Sequence, residues 1–360
     1  MTARERASVE GDGETTGERA RPERPERASK ASEPERQGER ASKASEPERP
    51  AAKQQEREAM RALVTGAGGF VGVHLVRHLE ASGDEVVQLE RTVDGIDITD
   101  TPEITDAVLS AKPTAVYHLA GAADVGGSWD TPRETFLANA VGTLNVLEAS
   151  REAGAERVLA VSSADVYGRV TEDELPLDEA QPLRPVSPYA ASKVAADALA
   201  QQAWLGHRLP VIRVRAFNHL GPGQTDRFVA PSLAARIARN ERDGGDEIPI
   251  GNTAPRRDVT DVRDVVRAYR LLVEHGEPGE VYNVCSGRAV SVKEIADLLL
   301  GMASRPMRLV SDPALQRPVD IPVLVGDNAR LARATGWSPT IPIEQTLADV
   351  LADWRSRFGR

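Results

Sequence analysis

From Met60 onward, short apolar runs alternate with longer amphipathic stretches. Arg61-Ala-Leu-Val-Thr65 predicts a buried strand running into glycines, and residues 71–79 predict a helix that Gly83 closes. Residues 85–90, 115–119, 157–161 and 210–215 predict further strands. Between them, 135–153 and 189–205 carry helical spacing, with Gly154 and Gly206 behind them as C-terminal stops. Continuous apolar strands separated by helices specify a parallel sheet covered on both faces. The expected fold is therefore α/β, a doubly wound parallel sheet, because right-handed crossovers lay helices on both sides.

The first 59 residues break this pattern. They contain no aromatic residue, and the string Glu-Arg-Ala-Ser-Lys-Ala-Ser-Glu-Pro-Glu-Arg occurs at 26–36 and again at 39–49. Such a stretch buries too little apolar surface to offset its chain entropy, so 1–59 is expected to be a disordered tail. It reads as an extension that the folded part does not require, since Met60 stands directly before the first strand. Basic and acidic residues nearly balance in the tail, so the net charge of −10 lies almost wholly in the folded part. That charge argues against nucleic acid as a partner. No stretch of 18 apolar residues and no apolar leader occurs, so neither a membrane span nor a secretory signal is expected, and the protein reads as cytoplasmic. One cysteine, Cys285, rules out a disulfide scaffold or a multi-cysteine zinc site.

The first strand leads into Gly66-Ala-Gly-Gly69-Phe70-Val71-Gly72. Glycines three apart between a strand and a helix suit a dinucleotide. Gly66 permits the turn, Gly69 lets the backbone approach a pyrophosphate, and Gly72 lets the helix pack closely, with free helix N–H groups facing the phosphates. Glu90, at the end of the second strand, is placed to accept hydrogen bonds from the adenosine ribose, which favours NAD. Arg91 beside it suits the 2′-phosphate of NADP, so both cofactors stay open. Asp97 and Ile98 follow closely enough to hold the adenine edge.

The strongest chemical signal comes later. Ser163 stands at the carboxyl end of a predicted strand, where crevices open in such sheets. Ser187-Pro188 opens a helix with a cap and a first-turn proline. That helix carries Tyr189-Ala-Ala-Ser-Lys193, which puts the phenol and the ammonium on one face. A free tyrosine has a pKa of about 10, and a fixed lysine charge is expected to lower it. Tyr189 is then the general acid/base, Lys193 its support, and Ser163 the group that orients the substrate oxygen.

The order of glycine loop, Ser163 and Tyr189-x-x-x-Lys193 resembles the extended short-chain dehydrogenase/reductases over about residues 60–355. His118-Leu119-Ala120-Gly121-Ala122, Asn139-Ala-Val-Gly-Thr-Leu-Asn145 and Ser162-Ser-Ala-Asp-Val-Tyr-Gly168 match internal landmarks of that family. The resemblance implies a Rossmann domain over 60–215, with part of 255–285 returning to it, and a smaller α+β substrate domain over 216–355. It implies that Leu119, Ala120 and Gly121 line the cofactor site and that Lys193 also holds the nicotinamide ribose. It further implies a homodimer formed through the helices near 135–153 and 189–205.

Later motifs resemble the subgroup acting on GDP-deoxyhexoses: Arg215-Ala-Phe-Asn-His-Leu-Gly-Pro-Gly-Gln224, Phe228-Val229, Arg257-Asp258 and Arg317-Pro-Val-Asp320. By that likeness Asn218, Phe228 and Val229 face the sugar nucleotide. Arg257 and Arg317 bind its diphosphate, and Asp320 the GDP ribose. Guanidinium forks suit an anionic diphosphate, all the more in an acidic protein. The expected reaction is hydride transfer from NADH or NADPH to the C4 keto group of a GDP-4-keto-6-deoxyhexose, giving a GDP-rhamnose-type product. A 4,6-dehydratase would need an additional acid/base group for C5. Family dehydratases carry a Thr followed two positions on by a Glu, where this chain has Ser163 and the shorter Asp165. Dehydratase or epimerase activity is the alternative, with Asp165 as its catalytic acid. A non-enzymatic cofactor sensor is a further reading, disfavoured by the intact Tyr189 and Lys193.

Overall fold

The structure, a computed structural model, describes residues 59–315 and 321–359. The expected tail at 1–58 and the positions Arg317 and Asp320 lie outside the described residues. The chain starts as β1 (Arg61–Thr65), α1 (Phe70–Ala81), β2 (Glu85–Leu89), α2 (Arg91–Asp94), α3 (Thr101–Ala111) and β3 (Ala115–His118). It continues through α4 (Pro132–Phe136), α5 (Gly142–Glu152), β4 (Arg157–Ser163), α6 (Pro188–His207) and β5 (Val211–Ala216). These strands form a parallel sheet in the order β2-β1-β3-β4-β5. The order reverses direction at β1, where β2 lies on one side and β3 on the other. This switch point opens a crevice at the carboxyl ends of the strands, and the glycine loop sits there.

The second half runs β6 (Asn218–Leu220), α7 (Val229–Asp243), β7 (Glu247–Ile250), β8 (Arg256–Asp261), α8 (Val262–His275), β9 (Val281–Val284) and β10 (Ala289–Ser291). It ends with α9 (Val292–Gly301), β11 (Arg308–Ser311), β12 (Val323–Leu324), α10 (Ala329–Thr335) and α11 (Ile343–Phe358). β9 pairs in parallel with β5 as the sixth strand of the main sheet. α8 presents Val262, Val265, Val266, Tyr269, Leu272 and Val273 at helical spacing to the core beside α1. A separate apolar core gathers α7, α9 and α11 around two small sheets, one centred on β8 and one pairing β7 with β11.

Two features position the chemistry. Asp197 on α6 is buried and accepts from Arg213 Nη1 at 2.7 Å and from Arg215 Nε at 3.1 Å, which fixes α6 on β5. Arg215 also donates to the Tyr167 hydroxyl at 3.2 Å, and that hydroxyl donates to Asn283 Oδ1 on β9 at 2.6 Å. A buried ion pair contributes little net stability, but losing one partner strands a charge and costs about 3–5 kcal/mol, so the geometry is firmly held.

The stretch 135–153 departs from the single helix that its spacing predicts. Between α4 and α5, Leu137–Val141 forms one π-helical turn. Such bulges occur at functional sites, and here the turn sends Asn139 into the interior. The second strand ends at Leu89, and Glu90 stands in the position before the short α2 instead of closing the strand.

Candidate active site

The main cleft, about 740 Å³, runs across the carboxyl edge of the sheet. Its cofactor end is built from Gly66, Gly69, Phe70, Val71 and Gly72, with Leu119, Ala120 and Gly121 from the loop after β3. Gly66 has φ +71, and a side chain there would meet the Ala120 backbone nitrogen at 2.9 Å. A Cβ on Gly72 would lie 2.1 Å from the Gly66 carbonyl oxygen, so α1 packs this close only with glycine. The N-terminus of α1 has no side-chain cap and no acidic residue in its first turn. Its N–H groups are thus left for an anion, and the loop fits a dinucleotide pyrophosphate.

At the rim, Glu90, Arg91, Asp97 and Ile98 line the same cleft. Glu90 Oε2 accepts from the Gly68 backbone N–H at 2.9 Å. Arg91 lies 3.4 Å from Asp97 and is 75% exposed. The Thr99 N–H and hydroxyl both donate to Asp97 Oδ1 and hold its carboxyl below the ordinary range. Asn145 Nδ2 donates to the Ile98 carbonyl at 3.0 Å, which ties this rim to α5.

Ser163, Asp165, Tyr189 and Lys193 meet on the floor of the cleft. Tyr189 is buried and its hydroxyl hydrogen-bonds the Ser163 side chain. Lys193 Nζ donates to the Val161 carbonyl at 3.0 Å, and burial pulls its pKa down to about 8. The expectation that Lys193 lowers the pKa of Tyr189 is not met. Burial pushes the phenol well above the ordinary range, and the Asp165 carboxylate raises it further, against a smaller lowering by the Ser163 hydrogen bond. Loss of hydration costs the phenolate more than its one neutral partner returns. Tyr269 of α8 also meets the cleft and shares electrostatic coupling with Tyr189.

Behind these residues runs a buried polar chain that joins two of the sequence landmarks, His118 and Asn139–Asn145, in a way their spacing does not announce. His118 Nε2 is 2.9 Å from Thr143 Oγ1, and Thr143 donates its own proton to the Asn139 carbonyl at 2.6 Å. His118 therefore carries its proton on Nε2, and Nδ1 accepts from Thr65 Oγ1 at 2.8 Å. Burial, helped by the Lys193 charge, lowers the His118 pKa to about 3 and keeps it neutral. Asn139 Nδ2 donates to Ser192 Oγ at 2.9 Å, and Ser192 donates to the Tyr189 carbonyl at 2.7 Å. The π turn is thereby pinned to the first turn of the helix that bears Tyr189 and Lys193.

A second cavity of about 350 Å³ adjoins the cleft. Asn218, Phe228, Val229 and Arg257 line it, together with Arg227 and Arg236, which the sequence motifs did not single out. Arg257 Nη1 donates to the Ile321 carbonyl at 2.6 Å. Asn218, His219, Gln224 and Phe228 line both cavities. Among the described residues, no group of three or more His, Cys, Asp or Glu is arranged to hold a metal ion. No helix among them is long and apolar enough to cross a membrane.

A glycine loop at the switch point of a parallel sheet, with serine, tyrosine and lysine converging below it, defines a dinucleotide-binding protein of the extended short-chain dehydrogenase/reductase kind. Residues 62–285 match the NAD dependent epimerase/dehydratase family, and the chain belongs to it. It is 40% identical over 299 residues to GDP-6-deoxy-D-mannose reductase of Pseudomonas aeruginosa, covering 82% of this chain and 98% of that protein. The solved structure of RMD from Pseudomonas aeruginosa complexed with NADPH superposes with TM-score 0.76 and 39% identity, over 82% of this chain and 99% of that one. GDP-mannose 4,6 dehydratase 2 of Caenorhabditis elegans is 25% identical, over 71% of this chain and 72% of its own length.

Proposed function

We propose that the protein is an NADPH-dependent reductase of the C4 keto group of a GDP-4-keto-6-deoxyhexose, releasing a GDP-6-deoxyhexose of the GDP-rhamnose type. The observation that carries this reading is the buried, protonated Tyr189 held by Ser163 on the floor of the larger cavity. A carbonyl reduction needs a proton donor at that place, and a phenol that resists ionisation is one. The greater identity to a GDP-6-deoxy-D-mannose reductase than to a GDP-mannose dehydratase supports the same direction.

When bound, NADPH supplies the hydride that reduces C4. Tyr189 gives its hydroxyl proton to the C4 oxygen. Ser163 donates a hydrogen bond to that oxygen and orients the carbonyl. Lys193, fixed on the Val161 carbonyl, would hold the cofactor ribose with its ammonium. Arg91 pairs the 2′-phosphate, a role that its exposed position at the rim supports. Arg257, with Arg317, takes the diphosphate of the sugar nucleotide, Asn218, Phe228 and Val229 enclose its sugar end, and Asp320 holds the GDP ribose.

Residues 60–215 with β9 act as the cofactor half and most of 216–355 as the sugar-nucleotide half. The working unit is a homodimer. Phe136 at the end of α4, Leu137 in the π turn and Leu205 near the end of α6 are 47%, 43% and 61% exposed, large apolar side chains that a second copy would cover. Residence in the cytoplasm follows from the proposed cofactor. The test is loss of near-ultraviolet absorbance of NADPH, and separately NADH, when the full chain meets GDP-4-keto-6-deoxymannose. Rapid oxidation carries the reading. No oxidation, with conversion of GDP-mannose to a keto sugar instead, replaces it with the dehydratase.

A further inference from the structure

The reacting sugar has to bridge the two cavities. Its carbonyl must reach Tyr189 in the larger one, while its diphosphate reaches the arginines of the smaller. His219 and Gln224 stand on that path, since both line both cavities.

Each presents an acceptor that the fold leaves unpaired. His219 Nδ1 lies 3.0 Å from the Phe217 carbonyl, and a carbonyl only accepts, so Nδ1 carries the proton. Burial keeps the ring neutral. Nε2 is then a lone-pair acceptor, and among the described residues nothing hydrogen-bonds it. The ring is held in place, since it stacks on Phe70 at 6.1 Å between centroids and 11° between planes. Gln224 is 6% exposed, and its Oε1 is buried without a hydrogen-bond partner among the described residues. Its Nε2 points to the His219 carbonyl at 3.4 Å, so the amide cannot turn over without facing oxygen to oxygen.

A buried acceptor left without a donor costs free energy. Gln224 Oε1 is such an acceptor, and with the half-buried His219 beside it the junction calls for a ligand that donates there. A phosphate or a carbonyl would be repelled, and a hydroxyl fits. Resting on the reductase reading, we propose that His219 Nε2 and Gln224 Oε1 are specificity-determining acceptors for the sugar hydroxyls. In a 4-keto-6-deoxyhexose linked through C1, the free hydroxyls are those at C2 and C3. The pair therefore reads the vicinal diol, while neighbouring residues hold the nucleotide.

The test compares the full chain with His219→Phe, which retains a ring against Phe70, and Gln224→Leu, which retains bulk. Three quantities are measured: kcat/KM for GDP-4-keto-6-deoxymannose, Kd for GDP, and Kd for NADPH. Each variant should lose about tenfold or more in kcat/KM, the effect of stranding one hydroxyl. GDP has no hexose, so its Kd should stay within about twofold of wild type, as should that of NADPH. Unchanged kcat/KM in both variants overturns the proposal, and so does a loss of GDP affinity in step with kcat/KM. If the wild-type chain does not turn over the keto sugar, the reductase reading falls, and the pair is judged on binding alone. A wild-type preference for GDP-mannose over GDP that both variants lose supports it. A preference that is the same in all three proteins overturns it.

Discussion

The hydroxyl of Tyr189 hydrogen-bonds Ser163 inside a buried pocket, with the Asp165 charge near enough to oppose its ionisation. The phenol is thereby stored as an acid. Tyr189→Phe should leave NADPH affinity within about twofold and lower kcat by about 100-fold or more, the usual share of a positioned proton donor. Stopped-flow turnover with a separate cofactor titration checks this, and wild-type turnover in the variant would remove Tyr189 from the mechanism.

Lys193 has its pKa pulled down to about 8 because burial strips water from its ammonium. As pH rises through that value the charge beneath the cofactor is lost. kcat/KM for NADPH reports the free enzyme, so it should fall on the alkaline side of about 8. A profile that stays level to the ordinary lysine range would show that the charge of Lys193 is not used.

Arg91 stands at the rim beside Asp97, while Glu90 is turned inward onto the Gly68 N–H. Arg91→Ala should raise KM for NADPH by about tenfold or more, as expected for losing a charge-assisted bond to phosphate. KM for NADH should change little. Equal changes for both cofactors would place the 2′-phosphate elsewhere.

His118 links Thr65 of β1 to Thr143 of α5. His118→Ala strands two buried hydroxyls and opens a cavity, so denaturant titration should show a loss of about 2–4 kcal/mol. The pH dependence has a definite sign. The folded pKa of about 3 lies below the unfolded 6.5, so the unfolded chain takes up the proton first as pH falls. Stability from this residue is whole above 6.5 and is lost progressively toward 3. The variant should show a flatter stability profile across that window.

Leu205→Glu places a charge at an exposed apolar position near the end of α6. Sedimentation should shift the protein from dimer to monomer at micromolar concentration while NADPH still binds. A wild-type monomer would withdraw the homodimer.

The parts that were legible in the sequence are those whose cause is local. Gly66 and Gly72 declare their loop because no other residue fits those two positions. Tyr189 and Lys193 declare theirs because four residues is a helical repeat. α8 carries an equally local signal, since Val262, Val265, Val266, Tyr269, Leu272 and Val273 keep a helical period. Other features depend on distant contacts. The π turn at Leu137–Val141 exists because Asn139 finds Ser192 and the Ala122 carbonyl across the fold, and nothing in its own spacing announces that. The acidity of Tyr189 depends on how much water surrounds it, a quantity fixed only when all neighbouring elements are in place. The three-residue strands β6 and β10 take their conformation from β8 alone.

The sixth strand, β9, belongs to the main sheet but follows α7 and β8 along the chain. A chimera cut once after β5 and joined to another protein's second half would lack its own edge strand. It would also lose the Tyr167–Asn283 bond that locks that edge. Exchange of specificity between such proteins therefore requires junctions on both sides of β9 as well as one before β6, because α9 and α11 beyond β9 pack on α7, or a graft confined to the loops. Domain shuffling at a single breakpoint is closed to this architecture, and new substrates have to be reached by substitution within an uninterrupted chain.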